Sequence, residues 1–204
     1  MKDFKIRFCT HMPDHSDLNS IPQDWHNICG DVKELIPHDA PEPLGKPVQL
    51  AHCVDANLCH DTLTGRSVTA CLHFINGAPI DWCSRKQATV KTATHGSEFV
   101  AARTCVEQII DLRNTLRCLG VHVNEKSHMF GDNDSVVNSS TDVHAESHKR
   151  HNALSFHRVR EAIASKHVDF NFLPGHENPA DTLSEHWSYN SVKDVLLPIL
   201  HFIK

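Results

Sequence analysis

Between residues 48 and 84, three short runs have a strand-like pattern, and the second, Val68–Ile75, is rich in Val, Leu, Phe and Ile. Turn signals separate the runs, and Asn76-Gly77 precedes the third. This pattern predicts an antiparallel meander of three strands. From 97 to 119 and from 148 to 165, apolar residues instead recur at spacings of three and four, which predicts two amphipathic helices. Gly120 supplies the end of the first helix.

The remaining periodic segments are shorter. They predict strands at 128–131 and 168–173 and helices at 134–138, 179–184 and 192–202. The resulting order βββαβαβα predicts a mixed sheet with helices on its faces, which is an α/β fold.

Residues 1–47 follow no lasting period and hold six of the ten prolines, so they resemble a connecting segment. Within them, a short strand is predicted at 5–8 and a helical turn at 31–36. The boundaries predicted for the chain are therefore 1–47 for a linker or tail, 48–187 for one domain, and 188–204 for a helical tail.

Composition narrows the class of protein. An apolar fraction of 40% with 22% charged residues provides for a packed core and excludes global disorder. The net charge of −5 excludes a wholly basic coat for nucleic acid. Residues 1–8 are too mixed in character for a signal peptide, no apolar run is long enough for a membrane span, and the eight cysteines are dispersed. We therefore expect an intracellular protein with reduced thiols and no membrane partner.

Four carboxylates lie at the predicted ends of elements, and each alone is typical of a turn or of a helix N-terminus. They are Asp55, Glu98, Asp132 and Asp181. Strand ends and neighbouring helices meet at one edge of an open α/β sheet, and clustered carboxylates repel one another unless a cation is bound. Oxygen ligands suit Mg²⁺ or Mn²⁺, and a pair of such ions drives phosphodiester cleavage.

The segments around these acids resemble the ribonuclease H domain that follows the reverse transcriptase in copia-type retrotransposon polyproteins. The resemblance covers about residues 48 to 187 in seven segments that occur in the family's order and spacing. The segments are Val54-Asp55-Ala56-Asn57, Thr64-Gly65-Arg66-Ser67-Val68-Thr69, Pro79-Ile80-Asp81-Trp82, Arg85-Lys86-Gln87-Ala88-Thr89-Val90, Ser97-Glu98-Phe99-Val100-Ala101, Gly131-Asp132-Asn133 and Asn178-Pro179-Ala180-Asp181. Residues 39–47 resemble the joint upstream of that domain.

The resemblance implies a ribonuclease H-like fold, a five-stranded mixed sheet with helices on both faces. It implies that Asp55, Glu98, Asp132 and Asp181 hold two Mg²⁺ ions, for which Mn²⁺ may substitute, and that the protein cuts the RNA strand of RNA–DNA hybrids. His176 stands where many ribonucleases H have a mobile histidine, which would transfer a proton or assist product release. The implied partners are the hybrid and the reverse transcriptase region of the parent polyprotein, to which residues 1–47 would belong.

Basic residues offer a local surface for the phosphates of a hybrid, although any one of them could equally be a solvated surface charge. The candidates are Arg85, Lys86, Lys91, Lys149, Arg150 and Arg158. Asp61 and Asp134 lie near the acidic motifs but are displaced from the motif positions, so we expect them to be neighbouring or surface residues.

The chain has 18 histidines and a single tyrosine. His or Cys replaces the Tyr expected in the family at six positions, as single transitions in a decaying element would produce. These positions are Cys53, Cys59, Cys83, His95, Cys118 and His128. A competing interpretation is a zinc site built from His144, His148, His151, His157, Cys59-His60 and His52-Cys53. Paired ligands at short fixed spacing are missing, so we expect no structural zinc.

Two functional hypotheses follow from the sequence. The first is an Mg²⁺-dependent ribonuclease of the ribonuclease H type. The alternative is a decayed and catalytically inactive fragment that at most binds nucleic acid, because replacement of buried tyrosines by smaller residues leaves cavities that cost stability.

Overall fold

A computed structural model describes residues 4–6, 13–15, 18, 23–123, 126–147, 152–199 and 201–202 of the 204-residue chain. The strands are β1 (Phe4–Lys5), β2 (Leu44–Val48), β3 (Leu50–Asp61), β4 (Arg66–Ile75), β5 (Ala78–Lys86), β6 (Val121–Val123), β7 (Ser127–Gly131), β8 (Val168–Phe172) and β9 (His201–Phe202). The α-helices are α1 (His26–Cys29), α2 (Thr94–Cys118), α3 (Asp134–Thr141), α4 (Ala153–Ala164), α5 (Asp181–Ser184) and α6 (Tyr189–Leu196), and Gly175–Glu177 forms a 3₁₀ turn.

The central sheet has five strands in the order β5-β4-β3-β7-β8. Strands β3, β4 and β5 are antiparallel neighbours, whereas β7 runs parallel to both β3 and β8. The predicted Asn76-Gly77 turn joins β4 to β5, and both residues have positive φ, 49° and 79°. Asn and Gly tolerate this conformation, which two-residue hairpins require.

Helices cover both faces of this sheet. On one face, α2 and α4 bury Phe99, Val106 and Val159 against sheet residues such as Met129. On the other face, the α5 region packs Ala180 onto the sheet. The alternation of side chains along each strand supplies both apolar faces. The predicted α/β fold, a five-stranded mixed sheet with helices on both faces, is confirmed.

Two predicted positions within this fold are wrong. Strand β3 does not end at Asp55 but continues to Asp61, because its pairing with β4 resumes at Asp61 opposite Arg66 after a register shift. Asp55 therefore lies in the middle of a long strand. Helix α2 begins at Thr94, so Glu98 lies in its second turn and not in its first.

The upstream segment also differs from its prediction. The helical turn predicted at 31–36 is wrong: α1 ends at Cys29, and Glu34 lies in an irregular segment where its carboxylate binds two arginines of α2. Pairing of β2 with β6 was not predicted, because each strand is short and the pair is distant in sequence. Of the predicted strand at 5–8, residues 7 and 8 lie outside the described residues, and Lys5 belongs to β1.

The predicted C-terminal helix at 192–202 is also shorter and shifted. Helix α6 spans Tyr189–Leu196, and His201–Phe202 pairs with Phe4–Lys5 as a two-stranded sheet. Pro198 lies between the two elements and has no N–H with which to continue the helical ladder.

Two histidines face each other inside the core. His52 on β3 and His73 on β4 are 0% and 2% exposed, and their Nδ1 atoms lie 2.7 Å apart. Nε2 of His73 lies 3.0 Å from Oε1 of Gln108. Burial lowers the pKa of both rings, and the charge of Arg113 and the charge that a protonated His73 would carry lower the pKa of His52 further. The folded protein therefore favours the neutral form of both rings.

We expect this pair to make the protein sensitive to acid. The unfolded chain takes up protons near the ordinary histidine pKa of 6.5 and the folded core does not, so stability is full above pH 6.5 and is lost as the pH falls below it. Each histidine contributes a slope of up to about 1.4 kcal/mol per pH unit. Urea unfolding from pH 8 to 5.5 should show a smaller acid loss for the double variant His52→Leu/His73→Leu. His157→Gln, at an exposed position, is the control; equal slopes in all three proteins would contradict the prediction.

Candidate active site

Three carboxylates from three different elements meet at one point. Asp55 comes from β3, Glu98 from α2, and Asp132 directly follows β7. One oxygen atom from each can be chosen so that all three lie within 4.8 Å of one another. Asp55 and Glu98 are 5% and 7% exposed, whereas Asp132 is partly open to solvent. The three oxygens form a donor set that fits a hard divalent cation, because Mg²⁺ and Mn²⁺ prefer carboxylate oxygen.

The fourth predicted acid, Asp181, lies beside this trio rather than within it. It begins α5, and the negative charges of Asp55, Glu185 and Asp132 are near enough to raise its pKa, which burial raises first, to about 6. Ser184, one helical turn further on, donates its hydroxyl to the Asp181 carbonyl at 3.1 Å. It also lies near enough to Asp55 to oppose the rise that burial causes in the Asp55 pKa. Helix α5 therefore places one acid beside the trio and one hydroxyl near Asp55.

Burial and mutual repulsion disfavour the charged forms of these acids. Burial is the main cause that raises the pKa of Glu98 to about 9, and the charges of Asp55 and Asp132 add to it. Burial and the charge of Asp55 raise the pKa of Asp132 to about 6. Burial also raises the pKa of Asp55, although its hydrogen bonds oppose the shift. Such a group of carboxylates is stabilised by a bound cation, which favours every charged form.

Asn178 fixes the distance between the strand and the loop that carry two of the acids. It is 1% exposed, its Nδ2 donates to the Val54 carbonyl at 3.0 Å, and its Oδ1 accepts from the Ala180 N–H at 3.1 Å. Val54 precedes Asp55, and Ala180 precedes Asp181. The sequence motif contains Asn178, but only the fold shows this bridge.

Two further residues shape the site. Gln87, which is 4% exposed, donates from Nε2 to the Ser97 carbonyl at 2.9 Å and so holds the start of α2, next to Glu98. A Cβ on Gly175 would lie 3.1 Å from Oδ2 of Asp132. A side chain at position 175 would therefore crowd this carboxylate.

We expect Asn178→Ala to impair both stability and metal response. The substitution leaves the buried Val54 carbonyl and the Ala180 N–H without this partner, which costs about 1–3 kcal/mol. It also frees Asp181 to move relative to Asp55, so the Mg²⁺ concentration for half-maximal response should rise. Thermal melting at increasing Mg²⁺ measures both effects. Asn138→Ala, at an exposed asparagine of α3, is the matched control; identical Mg²⁺ dependence of the two variants would refute the role of Asn178.

The other predicted site residues lie around the acids or away from them. His176 is next to Gly175, its side chain is 80% exposed, and its Nε2 lies 3.5 Å from Glu177. Arg85 is exposed on β5, while the Nζ of Lys86 pairs with Oδ2 of Asp61 at 2.9 Å. Asp61 is thus an ion-pair partner at the end of β3, outside the trio.

The remaining predicted basic residues differ in their surroundings. Lys91 is 8% exposed, and Arg158 on α4 pairs with Glu161 at 2.9 Å. Lys149 and Arg150 lie outside the described residues. Asp134, at the start of α3, is exposed and accepts a hydrogen bond from Asn138.

Among the described residues, the acidic trio is the one group of three or more metal-ligating side chains that lie together. His144 and His157 of the alternative zinc site are exposed, and His148 and His151 lie outside the described residues. The seven cysteines of the described ranges are free thiols. No described helix is long and apolar enough to cross a membrane.

Comparison with known proteins relates the sequence to plant transposons, although no protein-family model matches it. The chain is 28% identical over 131 residues to a retrovirus-related Pol polyprotein from transposon TNT 1-94 of Nicotiana tabacum, a match that covers 64% of this chain and 10% of the polyprotein. It is 22% identical over 175 residues to the Pol polyprotein from transposon RE2 of Arabidopsis thaliana, with 86% and 12% covered. The chain thus spans only about a tenth of the length of these relatives.

Solved structures of ribonucleases H share the fold. RNase H1 of Halobacterium salinarum superposes with a TM-score of 0.51 at 13% identity over 72% of this chain and 98% of that one. The N-terminal RNase H domain of a Mycobacterium tuberculosis protein gives 0.52 at 10% identity over 72% and 96%. LC11-RNase H1, solved with an RNA/DNA hybrid, gives 0.53 at 14% identity over 66% and 93%. This chain therefore has a ribonuclease H fold and is similar to one segment of the retrovirus-related Pol polyproteins of plant transposons, which confirms the resemblance found in its sequence.

Proposed function

We propose that the protein is a metal-dependent endonuclease that cuts the RNA strand of RNA–DNA hybrids and belongs to a copia-type polyprotein. The observation that carries this proposal is the convergence of Asp55, Glu98 and Asp132 within 4.8 Å. The sequence relatives are Pol polyproteins, and one structural neighbour was solved with an RNA/DNA hybrid. Both are in keeping with this substrate and with a reverse transcriptase region as the neighbouring partner.

In this proposal, Asp55, Glu98, Asp132 and Asp181 hold two Mg²⁺ ions, or Mn²⁺ in their place. Bound Mg²⁺ would lower the pKa of the attacking water and neutralise charge on the leaving 3′ oxygen. The acids must be ionised to bind the cation, so Glu98 releases the proton that burial holds on it in the metal-free protein. Asn178 positions Asp55 and Asp181 for this task through its bonds to Val54 and Ala180, the residues that precede them.

His176 and the basic residues have supporting roles in the proposal. His176 is exposed next to Gly175, which lies against Asp132, and it would transfer a proton or assist product release there. Arg85, Lys86 and Arg158, with Lys91, Lys149 and Arg150, would contact the phosphates of the hybrid. The free cysteines are in keeping with action inside the cell, in a cytoplasmic particle or the nucleus.

The test is cleavage of a labelled RNA–DNA hybrid by the purified protein with Mg²⁺, with Mn²⁺ and with EDTA. We expect nicks in the RNA strand with either ion, none with EDTA, and little cleavage of single-stranded RNA or of DNA duplex. Cleavage that persists in EDTA would refute the proposal. Hybrid binding without cleavage, together with no thermal shift in Mg²⁺, would instead identify the decayed, inactive binding module.

A further inference from the structure

Residues 23–48, here named the strap, lie against α2, α4 and β6 of the ribonuclease H fold. At the C-terminal end of the strap, β2 runs parallel to β6, and the Leu44 N–H donates to the Gly120 carbonyl at 2.8 Å. A Cβ on Gly120 would lie 3.6 Å from Cγ of Pro41. The strap therefore passes directly over the turn that ends α2.

In the middle of the strap, Glu34 inserts its carboxylate between two arginines of α2. Its oxygens accept from Nε and Nη2 of Arg113 at 2.6 and 2.8 Å and from both Nη atoms of Arg117. The Glu34 side chain is 13% exposed, and that of Arg113 is 0% exposed. Nε2 of His167 lies 3.8 Å from the same carboxylate.

At the N-terminal end of the strap, Trp25 contacts a second buried arginine. The guanidinium carbon of Arg160 lies 4.9 Å from the centre of the Trp25 ring, a cation–π distance. Arg160 is 2% exposed and donates to the Ser139 and Val143 carbonyls, which lie at and just after the end of α3. The strap thus contacts α4 at one end and β6 at the other.

The charge of Arg113 explains why this contact matters to the fold. A guanidinium with no exposed surface needs a carboxylate partner, because removal of one member of a buried pair leaves a desolvated charge. Arg113 also donates to Oγ of Ser127 at 2.9 Å, and Ser127 begins β7. The same side chain therefore joins the strap to the two elements that carry Glu98 and Asp132.

We propose that the strap is a docked part of the nuclease folded unit, held by Glu34 between Arg113 and Arg117. The surface formed by the C-terminal half of α2 and by β6 is the binding surface for this upstream segment of the same chain. A preceding region of a longer polyprotein would then be joined to the nuclease through a fixed contact rather than a loose linker. This inference does not depend on the proposed nuclease activity.

The test is the rate at which trypsin cuts after Lys33, an exposed residue next to Glu34. In the full chain, cleavage requires release of the strap, so we expect it to be at least about a hundredfold slower than in a free peptide of residues 27–40. Arg117→Gln removes one partner of Glu34 without changing the sequence that trypsin reads. It should speed cleavage at Lys33 at least about tenfold, since it breaks a largely buried ion pair.

Arg103→Gln is the matched control, because Arg103 belongs to the same helix but pairs with Glu107 on the surface. It should leave the rate at Lys33 unchanged. A rate in the unaltered chain within threefold of the peptide rate would overturn the proposal, whether or not any variant folds. Equal rates in the Arg117→Gln and Arg103→Gln proteins, both shown by circular dichroism to be folded, would also overturn it.

Discussion

Asp132→Asn should reduce Mg²⁺-dependent hybrid cleavage by at least about a hundredfold, because even the outer partners of metal ligands cost 10–100-fold when lost. Asn keeps the shape of the side chain but removes one of the three carboxylates that each place an oxygen within 4.8 Å of the others. Initial rates on a labelled hybrid at saturating Mg²⁺ measure the effect.

Asp134→Asn provides the matched control for this substitution. Asp134 is two residues away and is exposed at the start of α3, with Asn138 as its hydrogen-bond partner. The same chemical change at this position should leave the rate within about twofold, because a surface carboxylate contributes little. If Asp132→Asn and Asp134→Asn reduce the rate equally, or if Asp132→Asn keeps more than a tenth of the activity, Asp132 does not act as a metal ligand.

The sequence predicts most of the central sheet because its signals are local. Alternation and turn chemistry define the meander, and the Asn76-Gly77 turn occurs with the positive φ values that these residues allow. Spacings of three and four define α2. The motifs identify Asp55, Glu98 and Asp132, which the fold brings together.

What the sequence does not predict depends on contacts between distant segments. Strand β3 extends past Asp55 because β4 pairs with it as far as Asp61, which no local pattern indicates. Glu34 looks like an ordinary charge in a proline-rich linker. Its partner Arg113 is 79 residues further along the chain, and only the fold brings the two side chains together. The two bonds of Asn178 likewise require β3 and the α5 loop to be adjacent.

Glu98→Gln should stabilise the metal-free protein at neutral pH while it abolishes cleavage. The Glu98 pKa of about 9 in the folded protein lies above its ordinary value of 4.5. The folded state therefore binds more protons than the unfolded state between these two pH values, and stability is lost as the pH rises from 4.5 toward 9. Gln cannot ionise, so the variant avoids this loss.

The expected difference at pH 7 is on the order of 3 kcal/mol, from a window of about 2.5 pH units. It corresponds to a rise in melting temperature of about 5 to 10 °C in EDTA for a chain of this size. At pH 5 the two proteins should melt within a few degrees of each other, because the folded wild-type protein then keeps Glu98 protonated. Mg²⁺ should reverse the order by stabilising the wild-type protein more than the variant, since the ligand binds the folded state that offers all its carboxylates.

Glu107→Gln separates this effect from a general gain by loss of negative charge. Glu107 lies on the same helix and pairs with Arg103 at the surface, so its substitution should leave the pH dependence of melting unchanged. Stabilisation by Glu98→Gln that grows from pH 5 to pH 8 and disappears in Mg²⁺ has one physical source, the repulsion and burial of carboxylates in a shared site. If Glu98→Gln and Glu107→Gln melt alike at pH 8 in EDTA, Glu98 does not share a buried site with Asp55 and Asp132. The proposed metal site of these three carboxylates would then be wrong.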